Sequence, residues 1–501
     1  MSSLDLLSQG FAIALQPHNL FLCFVGVFWG TVVGVLPGLG PLAGLTLLLP
    51  LTFKLDANGA IIMLSGIFYG AMYGGSTTSI LMRIPGEAAS IVTCLDGYAM
   101  ARQGRAGTAL VVAAVGSFIG ASVSIVGLML FAPPLAELMV RIGPVEELAL
   151  LLLTLMVVSF VSQSRLPKTA AMIFLGFLIA SVGLDPVEAV ARYTFGLIEL
   201  TDGINFVAIA IGLFGISEIL LTIERIATVQ PIRPAFRDLL PRWSDLKASM
   251  PAIMRGTGIG FLFGLVPGPS GVLSTFTSYA LEKRISGDPD SFGKGRIEGV
   301  AGPETANNAT TGAAMIPLMV LGIPSIPATA LLLSALIIHN VQPGTLMIQQ
   351  HPEVFWGLIA SMYIGNAMLL VLNLPLVGIF VNLLRIPYAY LAVLITVFCV
   401  IGVYTLRSTT FDIMVMLAFG AIGYALRKFE YDVAPLLLAV VLGDRIESAF
   451  RQSLIVTSGD YWRLATSSFV QAIAGALVLI LAVRLVIRAL GYRKHDLPPP
   501  E

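Results

Sequence analysis

Charge is what this 501-residue chain has least of. Only 12% of its residues are charged, and 29 Lys and Arg balance 29 Asp and Glu, where a soluble domain averages about 25% charged residues. A net charge of zero sets up no global field that would point to nucleic acid as a partner. Cysteine is equally sparse. Cys23, Cys94 and Cys399 are scattered without C-x-x-C spacing, in or beside apolar segments, which gives no disulfide framework and no zinc site. The four histidines, His18, His339, His351 and His495, form no metal-ligand pattern. The opening residues MSSLDLLSQG lack a basic n-region and a small-residue cleavage site, so no cleaved signal peptide is expected. Also missing are H-E-x-x-H, G-x-x-x-x-G-K-[ST] and G-x-S-x-G. Without them no metal, nucleotide or nucleophile machinery of a membrane-embedded enzyme stands out, and the absent phosphate loop argues against an ATP-driven pump.

What is abundant is apolar surface: 56% of the residues are hydrophobic and the mean hydropathy is +0.89. Many runs approach the ~20 residues that span a bilayer, which makes this an all-α polytopic membrane protein. Apolar segments lie at about 19–36, 59–82, 107–131, 147–163, 168–184, 204–223, 256–266, 313–338, 353–381, 388–404, 411–426, 433–443 and 466–490, with a shorter one at Leu42–Phe53. None alternates with a period of two, so none reads as an outer-membrane strand. Ten to thirteen crossings are expected, with 256–266 and 433–443 short enough to be half-helices or re-entrant pieces.

The longest polar interruption carries Arg225, Arg233, Arg237, Arg242, Lys247 and Arg255 against three acidic residues. It divides the chain into a first half at 1–223, a basic connector at 224–255, a second half at 256–490 and a tail at 491–501. A solvated connector between halves accounts for the arginines better than nucleic-acid or lipid recognition does. The halves resemble each other. Gly30-x-x-x-Gly34-x-x-Pro37-Gly38 is matched by Gly260-x-x-x-Gly264-x-x-Pro267-Gly268 at an offset of 230. Gly66 and Thr77-Thr78 are matched by Gly299 and Thr310-Thr311 at an offset of 233, and Ile84-Pro85-Gly86 by Ile323-Pro324-Ser325 after a six-residue insertion. The order and near-constant offset read as an internal repeat. If Leu42–Phe53 and Ile259–Val266 are not full spans, five crossings separate the copies, and an odd number makes the repeat inverted, as in many secondary transporters.

The polar chemistry sits at the interruptions. In Val35–Gly44, with Pro37, Gly38 and Gly40, and in Leu265–Ser274, with Pro267 and Gly268, Pro removes a donor and Gly permits positive φ, so a helix stops and restarts. A restarted helix offers free N–H groups and a partial positive charge to an anion, and carbonyls freed where a helix ends can hold sodium. The stretch Glu298–Ala330 reads as a broken membrane helix carrying polar groups, because such groups survive in a bilayer only inside protein or beside a watery cavity. Ser76, Thr77, Thr78 and Ser79 in one copy and Asn307, Asn308, Thr310 and Thr311 in the other add neutral oxygens and donors suited to carboxylates or sodium. For Gly30/Gly34 and Gly260/Gly264 close helix packing is the competing and stronger role; for Asn307-Asn308 binding is the stronger one. Arg83, Glu87, Asp96 and Glu304 flank the clusters. Each fits a gate or coupling residue, since a charge at mid-membrane costs at least ~2.5–3.5 kcal/mol, and each also fits a loop at the interface.

At VGVLPGLGPLAGLTLLLPLTF (Val33–Phe53), YGAMYGGSTTSILMRIPGEAAS (Tyr69–Ser90) and GPETANNATTGAAMIPLMVLGIPS (Gly302–Ser325) the chain resembles the large membrane subunit of the tripartite tricarboxylate transporters, the TctA type. The likeness runs from the opening segment to the last apolar one. It implies a multi-pass carrier of the bacterial inner membrane that takes up carboxylates such as citrate on an ion gradient. It also implies two partners, a small four-helix membrane subunit and an extracytoplasmic solute-binding protein. A carrier working without a binding protein remains compatible with the residues. No cofactor is expected beyond the coupling ion. Oxygens beside the Pro-Gly breaks favour sodium, whereas protons would need a membrane carboxylate such as Glu304.

The basic excess places the 225–255 connector and the tail after Arg484 in the cytoplasm. Cysteines introduced at positions 240 and 497 should resist an impermeant thiol reagent in intact cells, and labelling of either from outside would overturn that topology.

Overall fold

The computed structural model describes residues 3–475 apart from 37–39, 141, 163, 186–188, 225–231, 233–238, 240–241, 345, 384–387, 465, 468–469 and 472–474. Its longer helices, in chain order, are α1 (Ser3–Ala14), α2 (Pro17–Val35), α3 (Gly40–Leu48), α4 (Ala57–Met82), α5 (Thr93–Met100) and α6 (Ala106–Met139). They continue with α7 (Pro144–Val161), α8 (Leu166–Ala180), α9 (Phe206–Glu224), α10 (Trp243–Gly264), α11 (Ser270–Ile285) and α12 (Glu298–Ala313). The last are α13 (Pro327–Ile338), α14 (Pro352–Asn373), α15 (Val377–Leu383), α16 (Tyr388–Arg407), α17 (Thr410–Lys428) and α18 (Ala434–Val456). The strands among the described residues are two-residue pieces, Gly183–Leu184 paired antiparallel with Ala191–Arg192. The all-α polytopic class is therefore the observed one. Among the described residues, five helices are long and apolar enough to cross a membrane: Pro17–Val35, Thr93–Met139, Phe206–Glu224, Pro352–Asn373 and Thr410–Lys428. Shorter apolar helices include Gly40–Lys54, Leu166–Ala180 and Pro327–Ile338.

Proline starts many of these helices. Pro17, Pro144, Pro327 and Pro352 each occupy the first turn, where the missing N–H would have had no partner anyway. Three segments differ from the sequence reading. The apolar run 256–266 is the end of the 22-residue α10, whose polar first half lay in the expected connector. Arg255 in that helix pairs with the buried Glu282 of α11 at 2.6 Å. The run 433–443 likewise opens the longer α18. The run 313–338 is not one span, because a left-handed Gly322 (φ +63°) ends the helical path and Pro327 restarts it as α13. Most of 466–490 and of the 225–241 stretch lies outside the described residues.

Two helix pairs set the frame. At Gly26, Gly30 and Gly34 of α2, a Cβ would collide with the carbonyls of Met63, Ile67 and Ala71 on α4. At Gly256, Gly260 and Gly264 of α10 it would meet those of Gly302, Ala306 and Thr310 on α12. The Gly-x-x-x-Gly motifs are thus packing devices that let backbones touch. The pairing also corrects the alignment of the two copies. The first helices match at the expected 230 (Gly30 to Gly260), but their partners match at 239 (Ile67 to Ala306, Ala71 to Thr310). The same 239 relates the two left-handed helix ends, Arg83 and Gly322, and the Ile-Pro pairs after them. The second copy therefore carries nine extra residues, all before Ile67's counterpart, and Thr77-Thr78 does not stand where Thr310-Thr311 does.

Asp96 anchors the approach to α12. This fully buried carboxylate accepts the backbone N–H groups of Gly293 (3.0 Å), Gly295 (2.8 Å) and Arg296 (2.7 Å) and the Tyr279 hydroxyl (2.9 Å). Three backbone donors and a phenol hold the carboxylate with no cation, so the loop before α12 is fixed to α5.

Two outcomes follow from this frame. Asp96→Ala strands those donors and should cost about 3 kcal/mol, read as a lower unfolding midpoint of the purified protein in detergent, while Asp96→Asn should fall less. Gly260→Val should abolish monodisperse protein, whereas Gly258→Val, whose Cβ would meet open space, should be tolerated. Equal behaviour of the two glycine variants would contradict the packing role.

Candidate functional site

The first-half and second-half helices meet where α4, α5 and the turn between them face α12. Ser76 of α4 and Thr93, the first residue of α5, each donate a hydroxyl hydrogen bond to the carboxylate of Glu304 on α12. Glu304 is 1% exposed, so in low dielectric these donors are its replacement for water. One turn further along α12, Asn307 donates its amide to Glu87 Oε1 at 2.6 Å. Glu87 belongs to the turn after the left-handed Arg83 (φ +59°) that ends α4. Its backbone is locked by Ser90, whose hydroxyl accepts the Glu87 N–H at 3.3 Å and donates to its carbonyl at 2.9 Å. Ser79 of α4 donates to the same Ser90 hydroxyl at 2.9 Å.

Ser76, Ser79, Glu304 and Asn307 are therefore brought together, through Thr93, Ser90 and Glu87. The other expected residues face elsewhere. Thr78 donates to the Val35 carbonyl (2.6 Å) at the end of α2, and Thr77 is buried beside it in α4. Asn308 donates to the Ser117 hydroxyl of α6 (2.7 Å) and to the Glu304 carbonyl (3.1 Å). Thr310 bonds the Gly260 carbonyl (3.1 Å) and the Ser274 hydroxyl (2.9 Å) within its own half, and Thr311 reaches back to the Asn307 carbonyl. Arg83 is exposed. Pro37 and Gly38 lie outside the described residues; Gly40 opens α3 at φ +59°.

The polar clusters do not sit at the breaks themselves. Ser76–Ser79 lie on uninterrupted α4 and Glu304–Thr311 on uninterrupted α12, and each break comes later, at Arg83 and Gly322. At the later break the freed carbonyls are already taken: Arg445 of α18 donates to those of Leu321 (3.0 Å) and Gly322 (2.8 Å), and pairs with Glu147 at 2.9 Å. The other break, at Pro267-Gly268, is left-handed at Gly268 (φ +130°), and its Gly268 N–H donates to the Ser325 carbonyl at 2.8 Å. It delivers the start of α11 to the site. A Cβ at Gly271 would stand 3.6 Å from Asn307 Oδ1 and 3.4 Å from Ala89, and the adjacent Ser270 hydroxyl is buried without a protein partner.

Sequence reasoning named Ser76, Ser79, Glu304 and Asn307 but passed over Thr93, Ser90 and Ser117. Thr93 and Ser90 follow the Ile-Pro-Gly-Glu turn with no periodicity of their own. Thr93 meets α12 through a contact 211 residues away along the chain, which no local pattern signals.

The junction is deeply buried and rich in hydroxyls, amides and carboxylates, on helices that break only after the polar clusters. Comparison with known proteins gives the family. The description "Tripartite tricarboxylate transporter TctA family" matches residues 20–438. The chain is 43% identical over 491 residues, 98% of each chain, to a protein of Agrobacterium vitis described as an uncharacterized 52.8 kDa protein in the TAR-I ttuC' 3' region. A second Agrobacterium vitis protein, from the TAR-II ttuC' 3' region, is 43% identical over 232 residues, 46% of this chain and 96% of its own length. No solved structure matches. With the match covering most of its length, the chain belongs to the tripartite tricarboxylate transporter TctA family.

Proposed function

We propose that this chain is the large membrane subunit that carries di- and tricarboxylates of the citrate type across the bacterial inner membrane. In this reading it works with a small four-helix membrane subunit and receives substrate from an extracytoplasmic binding protein. The two halves form an inverted repeat, and sodium drives uptake. One observation carries the reading. In this reading Ser79, Asn307 and the start of α11 are the neutral donors that face an anion, while Glu304 with the Ser76 and Thr93 oxygens beside it serves a cation.

The electrostatics favour taking both ions together. Two unit charges 4 Å apart interact by about 4 kcal/mol at an effective dielectric constant of 20. A substrate carboxylate placed beside Glu304 and Glu87 is repelled on that scale unless a cation accompanies it. Hydroxyl and carboxylate oxygens such as those of Ser76, Thr93 and Glu304 suit a hard cation, which supports sodium. A proton on Glu304 is the competing driver. Neutral donors also hold an anion weakly enough to release it, which a carrier requires.

In a Glu87→Ala background, where no internal carboxylate occupies its amide, Asn307→Ala should raise the half-saturating citrate concentration at least roughly tenfold, the cost of one charge-assisted hydrogen bond, with membrane insertion intact, while Asn382→Ala should do little. Asn308→Ala should act through protein abundance, since its amide serves α6. Uptake that persists in sodium-free buffer and follows an imposed pH gradient would reject sodium, and no loss on adding Asn307→Ala to Glu87→Ala at normal abundance would move the site elsewhere.

A further inference from the structure

Asn307 is not waiting for a substrate. Its amide already holds a carboxylate, that of Glu87, at 2.6 Å. The geometry points to Glu87 as an internal stand-in for the transported anion, occupying in the empty carrier the donor that the substrate's carboxylate takes when it binds. This rests on the reading of Asn307 as a substrate contact.

Three features fit a group that is displaced rather than a fixed strut. The backbone of Glu87 is held on its own side by the paired Ser90 bonds, so release of Asn307 needs only a side-chain rotation and leaves the turn intact. The side chain reaches α12 past Gly75, where a Cβ would stand 3.1 Å from Glu87 Cγ; a glycine there leaves the slot in which the stem lies and turns. The groups facing the carboxylate are the Asn307 amide, the Glu304 carboxylate on the same helix and the start of α11. Among the described residues no cation is paired with Glu87. An exchange of one carboxylate for another at Asn307 keeps its amide satisfied in both states, so no buried donor is orphaned during loading. It also means that the substrate competes with an attached carboxylate whose effective concentration is high, which weakens the apparent affinity.

The test is the citrate dependence of thermal stabilisation for the purified chain in detergent with sodium present, with succinate as a dicarboxylate probe. Removing a competitor strengthens binding. Glu87→Ala should therefore reach half-maximal stabilisation at roughly tenfold lower citrate than the parent, the scale of one charge-assisted hydrogen bond. Glu87→Gln, which keeps the acceptor and loses the charge, should shift in the same direction by less. If Glu87→Ala yields no monodisperse protein, Glu87→Gln carries the test alone. An unchanged or higher half-maximal concentration in the Glu87 variants, with a clear response in the parent that Asn307→Ala weakens in the Glu87→Ala background, would overturn the stand-in role and leave the substrate site standing. A response that Asn307→Ala does not weaken in the Glu87→Ala background, or none to either probe in the parent, would overturn the site and this proposal together.

Discussion

Two helices can run with their backbones in contact only where one of them lacks a side chain, and this protein uses that constraint twice. Gly26, Gly30 and Gly34 press α2 against α4, and Gly256, Gly260 and Gly264 press α10 against α12. In a low-dielectric surround, apolar side chains give little drive for helices to associate, so van der Waals closeness has to hold them. The helices so held, α4 and α12, carry the polar clusters. Their fixed position is what allows a hydroxyl from Ser76 and a carboxylate from Glu304 to meet inside the protein.

That meeting gives the buried carboxylates of Glu304 and Glu87 neutral partners from the opposite half. Ser76 and Thr93 serve Glu304, and Glu87 and Asn307 serve each other. Guanidinium groups are used elsewhere. Arg255 neutralises Glu282 at the far end of α11, and a network of Asp185, Arg192, Glu447 and Arg451 fastens the short strand pair to α18. Fixed charge pairs thus fall in the scaffold, where permanence is useful. Hydroxyl and amide contacts fall at the junction of α4, α5 and α12.

Much of this was legible in the sequence. Apolar runs near 20 residues marked most of the helices, and the Gly-x-x-x-Gly pairs marked the two tight crossings, because both features are local. The register between the halves was not, although it looked regular. Matching Thr77-Thr78 to Thr310-Thr311 aligned residues of similar chemistry, while the packed backbones align Ala71 and Met72 there instead. Composition cannot fix register where a length change is free to move along a loop. Glu87 and Asp96 show the same limit in another form. Both are acidic residues beside a polar cluster, equal on paper. One is bound by three backbone amides and immobile, and the other meets one side-chain amide. Only the fold distinguishes a strut from a switch.

The two helix breaks complete that distinction. Both end in a left-handed residue followed by Ile-Pro, yet at the second, glycine takes the conformation without strain and Arg445 closes the freed carbonyls from α18. At the first, Arg83 adopts φ +59° with a Cβ present, at a cost of order 1 kcal/mol, and the turn that follows carries Glu87 into the site. The tethered break is thus the relaxed one, and the strained break leads into the turn that carries Glu87 to Asn307. Strain persists only where the surroundings over-determine a conformation, and here the Ser79–Ser90 and Ser90–Glu87 bonds fix the turn that follows.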